Sequence, residues 1–317
     1  MRTITALFVG LGSIGTRHLK NLANLCADRG WTLQADALRS DLTRPLRPGA
    51  AELLHAQYTD LTAAPAHYDM VFITNPTSLH AEALRQVKGR GEALFIEKPI
   101  FSAEQTGLAL DELLPAGQKA YVAAPMRWCG AMLALKDRLP ALHPYCARVI
   151  CSSYLPDWRP GVDYRTVYSA RKALGGGVTI DLIHEWDYLV ELFGVPEKLY
   201  NFKGTYSELE IDSDELSVYI AKYPTLLAEV HLDYFGRGYR RSIELFCRDG
   251  SYLADFGKGT LTLPDGTVQH YEEDVNRRYE REMEYFVDYA LTGCGESCNP
   301  PALALKVLKL TLGENVQ

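Results

Sequence analysis

The sequence TITALFVGLGSIGTRH, residues 3–18, predicts the fold of the first part of the chain. Its first seven residues are largely β-branched or apolar, which is typical of a buried parallel strand. From Ser13 to Ala27 the apolar residues recur at helical spacing. A strand, a glycine-rich turn and a helix in immediate succession predict the first unit of a doubly wound α/β domain.

The turn has the pattern GxGxxG, with glycines at positions 10, 12 and 15. The first glycine permits a tight turn, the second lets the backbone approach a pyrophosphate, and the third lets the helix pack close to the strand. The helix N-terminus adds N–H donors and a positive dipole end. A turn that binds nothing, or the glycine loop of a methyltransferase, is the alternative. We predict that a dinucleotide contacts Gly10, Gly12, Ser13, Ile14 and Gly15.

The rest of the chain divides into two kinds of pattern. Up to about residue 123, strand signals alternate with helical ones, which implies a parallel sheet with helices on both faces. Beyond that point long β-type stretches dominate, and a helix is predicted over residues 178–192. We therefore predict an N-terminal Rossmann domain with a doubly wound parallel sheet (residues 1–122). A C-terminal α+β domain with a large, mainly antiparallel open sheet follows (residues 123–317).

Composition excludes several functional classes. The 317 residues are 47% hydrophobic and 23% charged, as in a globular protein of two domains. The net charge of −7 argues against nucleic-acid binding, and no apolar run reaches the roughly 20 residues that span a bilayer. Seven scattered cysteines suit a reducing cytoplasm, and the CGESC segment (294–298) has no partner cluster that would make it a metal site.

The end of the second predicted strand bears on which dinucleotide binds. A ribose-reading residue is expected about 20 residues after the glycines. Asp36 falls inside the strand, whereas Arg39 and Ser40 fall at its tip. A guanidinium and a hydroxyl suit a 2′-phosphate, which a carboxylate would repel. We predict that Arg39 and Ser40 favour NADP(H), with NAD(H) as the alternative.

Three further segments join the glycine turn in a recognisable order. They are NPTSLH (75–80), EKP (97–99) and GGGVTIDLIHEWD (175–187). Together with GLGSIGTRH (10–18), these motifs resemble the glucose-fructose oxidoreductase/inositol dehydrogenase/MocA (Gfo/Idh/MocA) family. The sequence departs from the family pattern at Pro125, where an Asn is often found, while Arg127 is retained.

The resemblance implies an NAD(P)-dependent oxidoreductase that transfers a hydride between a nicotinamide and a secondary alcohol or ketone of a sugar, sugar nucleotide or polyol. It implies catalytic roles for Lys98, Asp181 and His184, at a cleft between the domains. It also implies a homodimer or homotetramer formed through the C-terminal sheet. The positions that match the family's dinucleotide-lining segments are Asn75, Pro76, His80, Glu97 and Lys98.

The residue types agree with that chemistry. Removing a hydroxyl proton near neutral pH suits a histidine, and a cationic lysine would stabilise the developing alkoxide. On a continuous helix Asp181 and His184 would share one face, which Asp187 would extend. Two alternatives are a hydrolase that recycles a bound NAD and a dinucleotide sensor without catalysis.

An aromatic and basic loop, residues 154–172, precedes the glycine run and is the predicted substrate contact. Its aromatic rings could stack on a sugar or base, and its cations could bind a phosphate or carboxylate. A tyrosine-rich loop at a subunit contact is the alternative. The candidate substrate-binding residues are Arg127, Arg159, Tyr164 and Arg171.

Overall fold

The structure, a computed structural model, describes residues 2–316. The chain forms two compact units. The first unit contains the residues up to Ala123 together with Tyr279–Leu305, and the second contains Ala124–Arg278 and the residues from Lys306 onward. A late segment of the chain thus returns to the first unit, whereas the sequence pattern suggested a single division near residue 122.

The described residues contain eight α-helices and fourteen strands. The helices are α1 (Ser13–Asp28), α2 (His80–Gln86), α3 (Leu110–Leu113), α4 (Gly130–Arg138), α5 (Val178–Asp181), α6 (His184–Phe193), α7 (Val275–Thr292) and α8 (Pro301–Thr311). The first six strands are β1 (Thr3–Val9), β2 (Thr32–Leu38), β3 (Leu54–Tyr58), β4 (Tyr68–Ile73), β5 (Gly91–Ile96) and β6 (Lys119–Val122). The remaining strands are β7 (Cys146–Tyr154), β8 (Lys198–Gly204), β9 (Leu216–Lys222), β10 (Leu227–Asp233), β11 (Phe235–Cys247), β12 (Gly250–Asp255), β13 (Thr260–Thr262) and β14 (Val268–His270).

The first unit is built on a six-stranded sheet in the order β3-β2-β1-β4-β5-β6. All five neighbouring pairs are parallel. The order reverses direction between β1 and β4, and in open α/β sheets ligands bind at this reversal, outside the carboxyl ends of the strands. The prediction of a Rossmann sheet is confirmed, and its topology places the glycine turn after β1 at the expected crevice.

Aromatic side chains fill the core of the first unit. The ring of Phe72 on β4 stacks on Phe8 with centroids 4.4 Å apart and lies 5.3 Å from Phe95 on β5. Phe286 of α7 packs edge-on against Phe95 at 5.1 Å. All four residues are fully buried. These contacts explain why part of α7 belongs to the first unit despite its position late in the sequence.

The second unit is built on an eight-stranded sheet in the order β14-β13-β12-β11-β7-β10-β9-β8. Every neighbouring pair is antiparallel except β7 and β10, which run parallel. The predicted large, mainly antiparallel sheet is therefore confirmed. None of the helices in the described part of the chain is long and apolar enough to cross a membrane.

The predicted continuous helix over residues 178–192 is wrong, because Leu182 and Ile183 form a turn that separates α5 from α6. Long-range contacts fix each half separately. Asp214 accepts a hydrogen bond from the backbone N–H of Thr179 at 2.9 Å and so fixes α5. In α6, Glu185 is fully buried in an ion pair with Arg241. These contacts override the helical pattern of the sequence.

Candidate active site

The glycine turn has the geometry that its sequence predicts. Gly10 has a φ of +89°, a conformation that favours glycine. A Cβ on Gly15 would lie 2.6 Å from both the carbonyl oxygen of Gly10 and Oγ1 of Thr74, so helix and strand need a glycine there to pack together. A Cβ on Gly12 would meet nothing within 4 Å. The space beside Gly12 is therefore open to a ligand.

The N-terminus of α1 provides the second half of a phosphate cradle. Gly12 is its N-cap residue, no side chain within residues 2–316 caps it, and its first turn carries no acidic residue. Ser13 is exposed and Ile14 is partly exposed. Uncapped helix N-termini with a positive dipole end favour anions. The glycine turn and this helix end together fit the pyrophosphate of a dinucleotide.

The segment after β4 lies against the same turn. Cα of Asn75 would be 2.8 Å from a Cβ on Gly10, and Oδ1 of Asn75 is buried without a hydrogen-bond partner among the described residues. His80 is buried, and its two ring nitrogens lie 3.0 Å and 3.1 Å from the carbonyl oxygens of Asn75 and Ile100. His80 therefore fixes the backbone of this segment from within, while Pro76 is exposed.

At the end of β2, Asp36 and Arg39 occupy the positions that the sequence predicts, Asp36 inside the strand and Arg39 just after it. Asp36 is buried within the strand, where it accepts hydrogen bonds from Tyr68 (2.8 Å) and from the ring of His55 (3.1 Å). Arg39 follows the strand, and its guanidinium donates to Oε1 of Gln57 at 2.7 Å and to the carbonyl oxygen of Arg44 at 2.5 Å. Asp36 is thus already engaged, whereas Arg39 is oriented at the tip.

The loop that follows β2 is basic and lines a cavity. Between residues 39 and 49 it carries three arginines against one aspartate. Ser40 is exposed beside them. The three arginines all line the cavity, and they are Arg39, Arg44 and Arg47.

The strand end before Lys98 is tied to the first helix. His18 of α1 is fully buried, and its Nε2 donates to Oε1 of Glu97 at 2.6 Å. The backbone N–H of Lys98 donates to the other oxygen, Oε2, at 3.1 Å. Burial alone would raise the pKa of Glu97, but the hydrogen bond and charge of His18 and the charge of Lys98 hold it below its usual value. Glu97 is therefore a buried, ionised link between α1 and Lys98.

Asp181 and His184, the two predicted catalytic residues of the second unit, flank the turn between α5 and α6. Both are partly exposed. Oδ2 of Asp181 accepts a hydrogen bond from the hydroxyl of Tyr234 at 2.6 Å. His184 is the first residue of α6. The prediction that Asp181, His184 and Asp187 lie on one continuous helical face is wrong, since α5 and α6 are separate.

Arg127 has a different environment from the predicted substrate contact. Only 3% of its side chain is exposed, and it donates to both carboxylate oxygens of Asp187, at 2.9 Å from Nε and 2.7 Å from Nη2. It also donates to Glu191 at 2.5 Å. Burial raises the pKa of Asp187, while the charge of Arg127 opposes that rise. The predicted substrate contact is thus corrected: Arg127 is a buried structural cation that anchors α6.

Some side chains of the predicted substrate loop already form hydrogen bonds or ion pairs, and others are exposed. The hydroxyl of Tyr164 accepts a hydrogen bond from the backbone N–H of Glu210 at 3.2 Å. Arg165, which was not predicted, forms ion pairs with Asp163 and with Glu210. The side chains of Arg159 and Arg171 are both exposed. Positive charge at this loop is therefore open to a ligand through those two arginines and the exposed Lys172.

Sequence reasoning missed Tyr234 and assigned no catalytic role to His18. Neither residue carried a local signal, because Tyr234 follows an ordinary strand and His18 lies in the middle of a helix. Among the described residues no group of three or more His, Cys, Asp or Glu side chains is placed to hold a metal ion.

Comparison with known sequences yields distant relatives. An uncharacterized oxidoreductase, YrbE of Bacillus subtilis (strain 168), is 23% identical over 308 residues, which cover 90% of this chain and 86% of YrbE. Inositol 2-dehydrogenase of Rhizobium meliloti (strain 1021) is 26% identical over 200 residues, covering 61% of this chain and 56% of that protein.

Comparison with solved structures agrees on the fold. A levoglucosan dehydrogenase in complex with NADH and levoglucosan superposes with a TM-score of 0.81 at 16% identity, covering 98% of this chain and 96% of that chain. Residues 4–123 match the model of the GFO_IDH_MocA family, described as an oxidoreductase family with an NAD-binding Rossmann fold. Over residues 4–123 the chain is therefore similar to the GFO_IDH_MocA oxidoreductases, and over nearly its whole length it has the fold of the levoglucosan dehydrogenase.

Proposed function

We propose that the protein is an NADP(H)-dependent dehydrogenase or ketoreductase that acts on a secondary alcohol or ketone of a sugar, sugar nucleotide or polyol. The observation that carries the proposal is the glycine turn at the reversal point of the parallel sheet, with an open Gly12 and an uncapped α1. Lys98 lies two residues after the end of β5, a strand of the same sheet. Ligands of such folds bind at these strand ends.

When bound, the nicotinamide would accept or donate the hydride. Side chains of the protein would transfer the proton. We assign His184 as the general acid or base at the reacting hydroxyl, because imidazole titrates near neutral pH. Lys98 would stabilise negative charge that develops on the oxygen, and Asp181 would orient its catalytic neighbours or the substrate. The inositol and levoglucosan dehydrogenases among the similar proteins support a polyol or sugar substrate.

The preference for NADP(H) over NAD(H) is part of the proposal. Because Asp36 is buried and already accepts hydrogen bonds, it cannot serve as the acidic residue that binds the ribose hydroxyls in NAD enzymes. Two N–H groups of Arg39 are engaged, which leaves others of its five donors for a phosphate. Ser40 and the neighbouring Arg44 add a hydroxyl and a second cation. Their combined charge favours a 2′-phosphate.

Self-association through the second sheet is also proposed. Tyr200 on the edge strand β8 pairs in register with Ile220 on β9, so both side chains project from the same face. Phe202 lies two residues further along and shares that face. Their exposed fractions are 52%, 36% and 72% for Tyr200, Ile220 and Phe202. A homodimer or homotetramer would cover this patch. Phe202→Ser should then shift the molar mass in solution towards the monomer, as measured by light scattering.

We place the enzyme in a reducing cytoplasm. All seven cysteines are free thiols, and Cys26 and Cys151 are buried where neither could serve as an exposed redox group.

The proposed activity is tested by nicotinamide absorbance against sugars, polyols, sugar acids and sugar nucleotides, with NADP and NAD in parallel. Lys98→Ala should reduce kcat about 100-fold or more, because a charge-stabilising group in the active site is lost. Lys88→Ala is the matched control, since Lys88 donates only to an exposed backbone carbonyl. Full activity of Lys98→Ala would refute the mechanism. Bound cofactor without turnover on any substrate would instead favour a hydrolase that recycles NAD, and then a sensor.

The cofactor preference has its own variant. Arg39→Ala should lower kcat/KM for NADP roughly 10- to 100-fold, the loss expected for hydrogen bonds to a charged group, and leave kcat/KM for NAD nearly unchanged. Arg85→Ala serves as the control, because Arg85 is an exposed arginine that pairs with Glu82 on the neighbouring turn of its own helix. Equal losses for both cofactors would refute the role assigned to Arg39.

A further inference from the structure

Asp181 is contacted from the interior of the second unit by a residue that the sequence did not suggest. The hydroxyl of Tyr234 donates to Oδ2 of Asp181 at 2.6 Å. Tyr234 is fully buried, whereas Asp181 is partly exposed. The tyrosine therefore binds the carboxylate on its protein side, and the exposed side of Asp181 remains available to a ligand.

Tyr234 is itself held by three contacts with two segments of the second unit. Its backbone N–H donates to the carbonyl oxygen of Glu215 at 2.9 Å, and its carbonyl oxygen accepts from the N–H of Leu155, also at 2.9 Å. Its ring lies edge-on to Trp158, with centroids 5.2 Å apart and planes at 87°. Because backbone and ring are both fixed, the hydroxyl has a single position from which to donate.

The phenol keeps its proton over the working range of an enzyme. Burial raises the pKa of Tyr234 well above its usual value, and the charge of Asp181 raises it further. Tyr234 is consequently a permanent donor to Asp181 and does not itself exchange protons near neutral pH.

The start of α5 is fixed by an independent contact. Asp214 accepts hydrogen bonds from the backbone N–H and from the hydroxyl of Thr179, and Gly177, with a φ of +134°, packs against the same carboxylate. The backbone before Asp181 is anchored there, but its side-chain rotamer is not. Of the contacts described, the hydrogen bond from the hydroxyl of Tyr234 is the one that selects the rotamer of the Asp181 side chain. Catalytic side chains need such support to stay within a few tenths of an ångström of a productive position.

We propose that Tyr234 is a positioning residue that holds the carboxylate of Asp181 in its catalytic orientation, and that Trp158 links this pair to the substrate loop. The inference rests on the proposed function of Asp181. Trp158 is 39% exposed, and its Nε1 donates to Oγ of Ser153 at 3.0 Å, so one face of its ring supports Tyr234 while part of it stays accessible. Ordering of the loop on a substrate would thereby tighten the support of Asp181.

The test is a double-mutant cycle with Tyr234→Phe and Asp181→Asn. If Tyr234 acts through Asp181, Tyr234→Phe should lower kcat roughly 10- to 100-fold, the loss of one hydrogen bond to a charged group, with KM changed less than about threefold. The double variant should then be no slower than Asp181→Asn alone, because residues that act as a unit are not additive. Tyr219→Phe is the matched control, since Tyr219 is equally buried but donates to the backbone carbonyl of Thr311. It should keep kcat within about twofold of the wild type.

Three results would overturn the inference. Tyr234→Phe could match Tyr219→Phe in kcat, or its loss could add to that of Asp181→Asn in the double variant. Full activity of Asp181→Asn would overturn the proposed role of Asp181 itself, which separates that failure from the first two. If Tyr234→Phe does not fold, Trp158→Leu keeps the hydroxyl of Tyr234 and removes the ring contact that supports it, together with the hydrogen bond from Trp158 to Ser153. That variant should lower kcat about threefold in wild-type protein and have no effect on kcat in Asp181→Asn, and an equal effect in both would also refute the inference.

Discussion

His18→Ala tests whether the buried link between α1 and Lys98 stabilises the first unit. His18 is fully buried and Glu97 is 7% exposed, and their side chains are 2.6 Å apart. Removing His18 takes away the main partner of the buried Glu97 carboxylate and leaves it only the charge and the backbone N–H of Lys98. We expect the free energy of unfolding at pH 7 to fall by about 3 kcal/mol. This value is the upper end of the range for losing a hydrogen bond to a charged group and the lower end of the range for breaking a buried ion pair.

The loss should depend on pH in a defined direction. The pKa of Glu97 lies below its usual value in the folded protein. Its stabilisation is therefore complete above the unfolded pKa of about 4.3 and is lost as the pH falls through the folded value. In His18→Ala burial remains and the main lowering contact is gone, so the pKa of Glu97 should rise above the unfolded value. Protonation then relieves the buried charge, and the difference from the wild type should narrow between pH 7 and pH 4.

Urea unfolding followed by far-ultraviolet circular dichroism at pH 7, 5.5 and 4.5 measures both effects. His55→Ala is the control, because 62% of the His55 side chain is exposed and its partner Asp36 keeps the hydrogen bond from Tyr68. That variant should lose less than about 1 kcal/mol. Glu97→Gln combined with His18→Ala should recover part of the loss. A cost for His18→Ala below about 1 kcal/mol, or one that is the same at every pH, would refute the reasoning.

Two further predictions concern packing in each unit. Gly15→Ala should abolish measurable binding of NADPH in a fluorescence titration, because its Cβ would lie 2.6 Å from the carbonyl oxygen of Gly10 in the glycine turn. Gly12→Ala should remain folded with unchanged thermal stability, because its Cβ would meet no protein atom within 4 Å. Arg127→Ala should lower the unfolding free energy by about 3–5 kcal/mol, because it removes the charge and the two hydrogen bonds that Arg127 gives to the buried Asp187. Calorimetry should show a much smaller change for the exposed Arg165→Ala. Wild-type stability of Arg127→Ala would contradict the structural role assigned to it.

The sequence predicted the first unit well because its signals are local. The strand at residues 3–9 has the predicted bounds, since a run of largely β-branched or apolar residues ends at a glycine whose positive φ stops the strand. Asp36 was correctly placed inside β2 and Arg39 at its tip, because residue position along a strand follows from counting. Lys98 was likewise found at a strand end from its position before a proline.

Helix continuity was less predictable from pattern alone. Residues 178–192 have helical periodicity, yet the chain turns at Leu182 and Ile183. The break comes from contacts made by Asp214 to α5 and by Arg241 and Arg127 to α6. None of these partners is adjacent in sequence to the helix. A weak helical preference yields to several strong long-range bonds.

The amino-acid sequence was enough to predict the strand–turn–helix units, the glycine turn, the chemical types of the candidate catalytic residues and the resemblance to the family. Which side chains pair depends on the tertiary structure: His18 with Glu97, Arg127 with Asp187, and Tyr234 with Asp181. These partners lie 79, 60 and 53 residues apart. Secondary structure depends on neighbours within a few residues, whereas a buried polar group takes whichever partner the packed core brings within hydrogen-bonding distance.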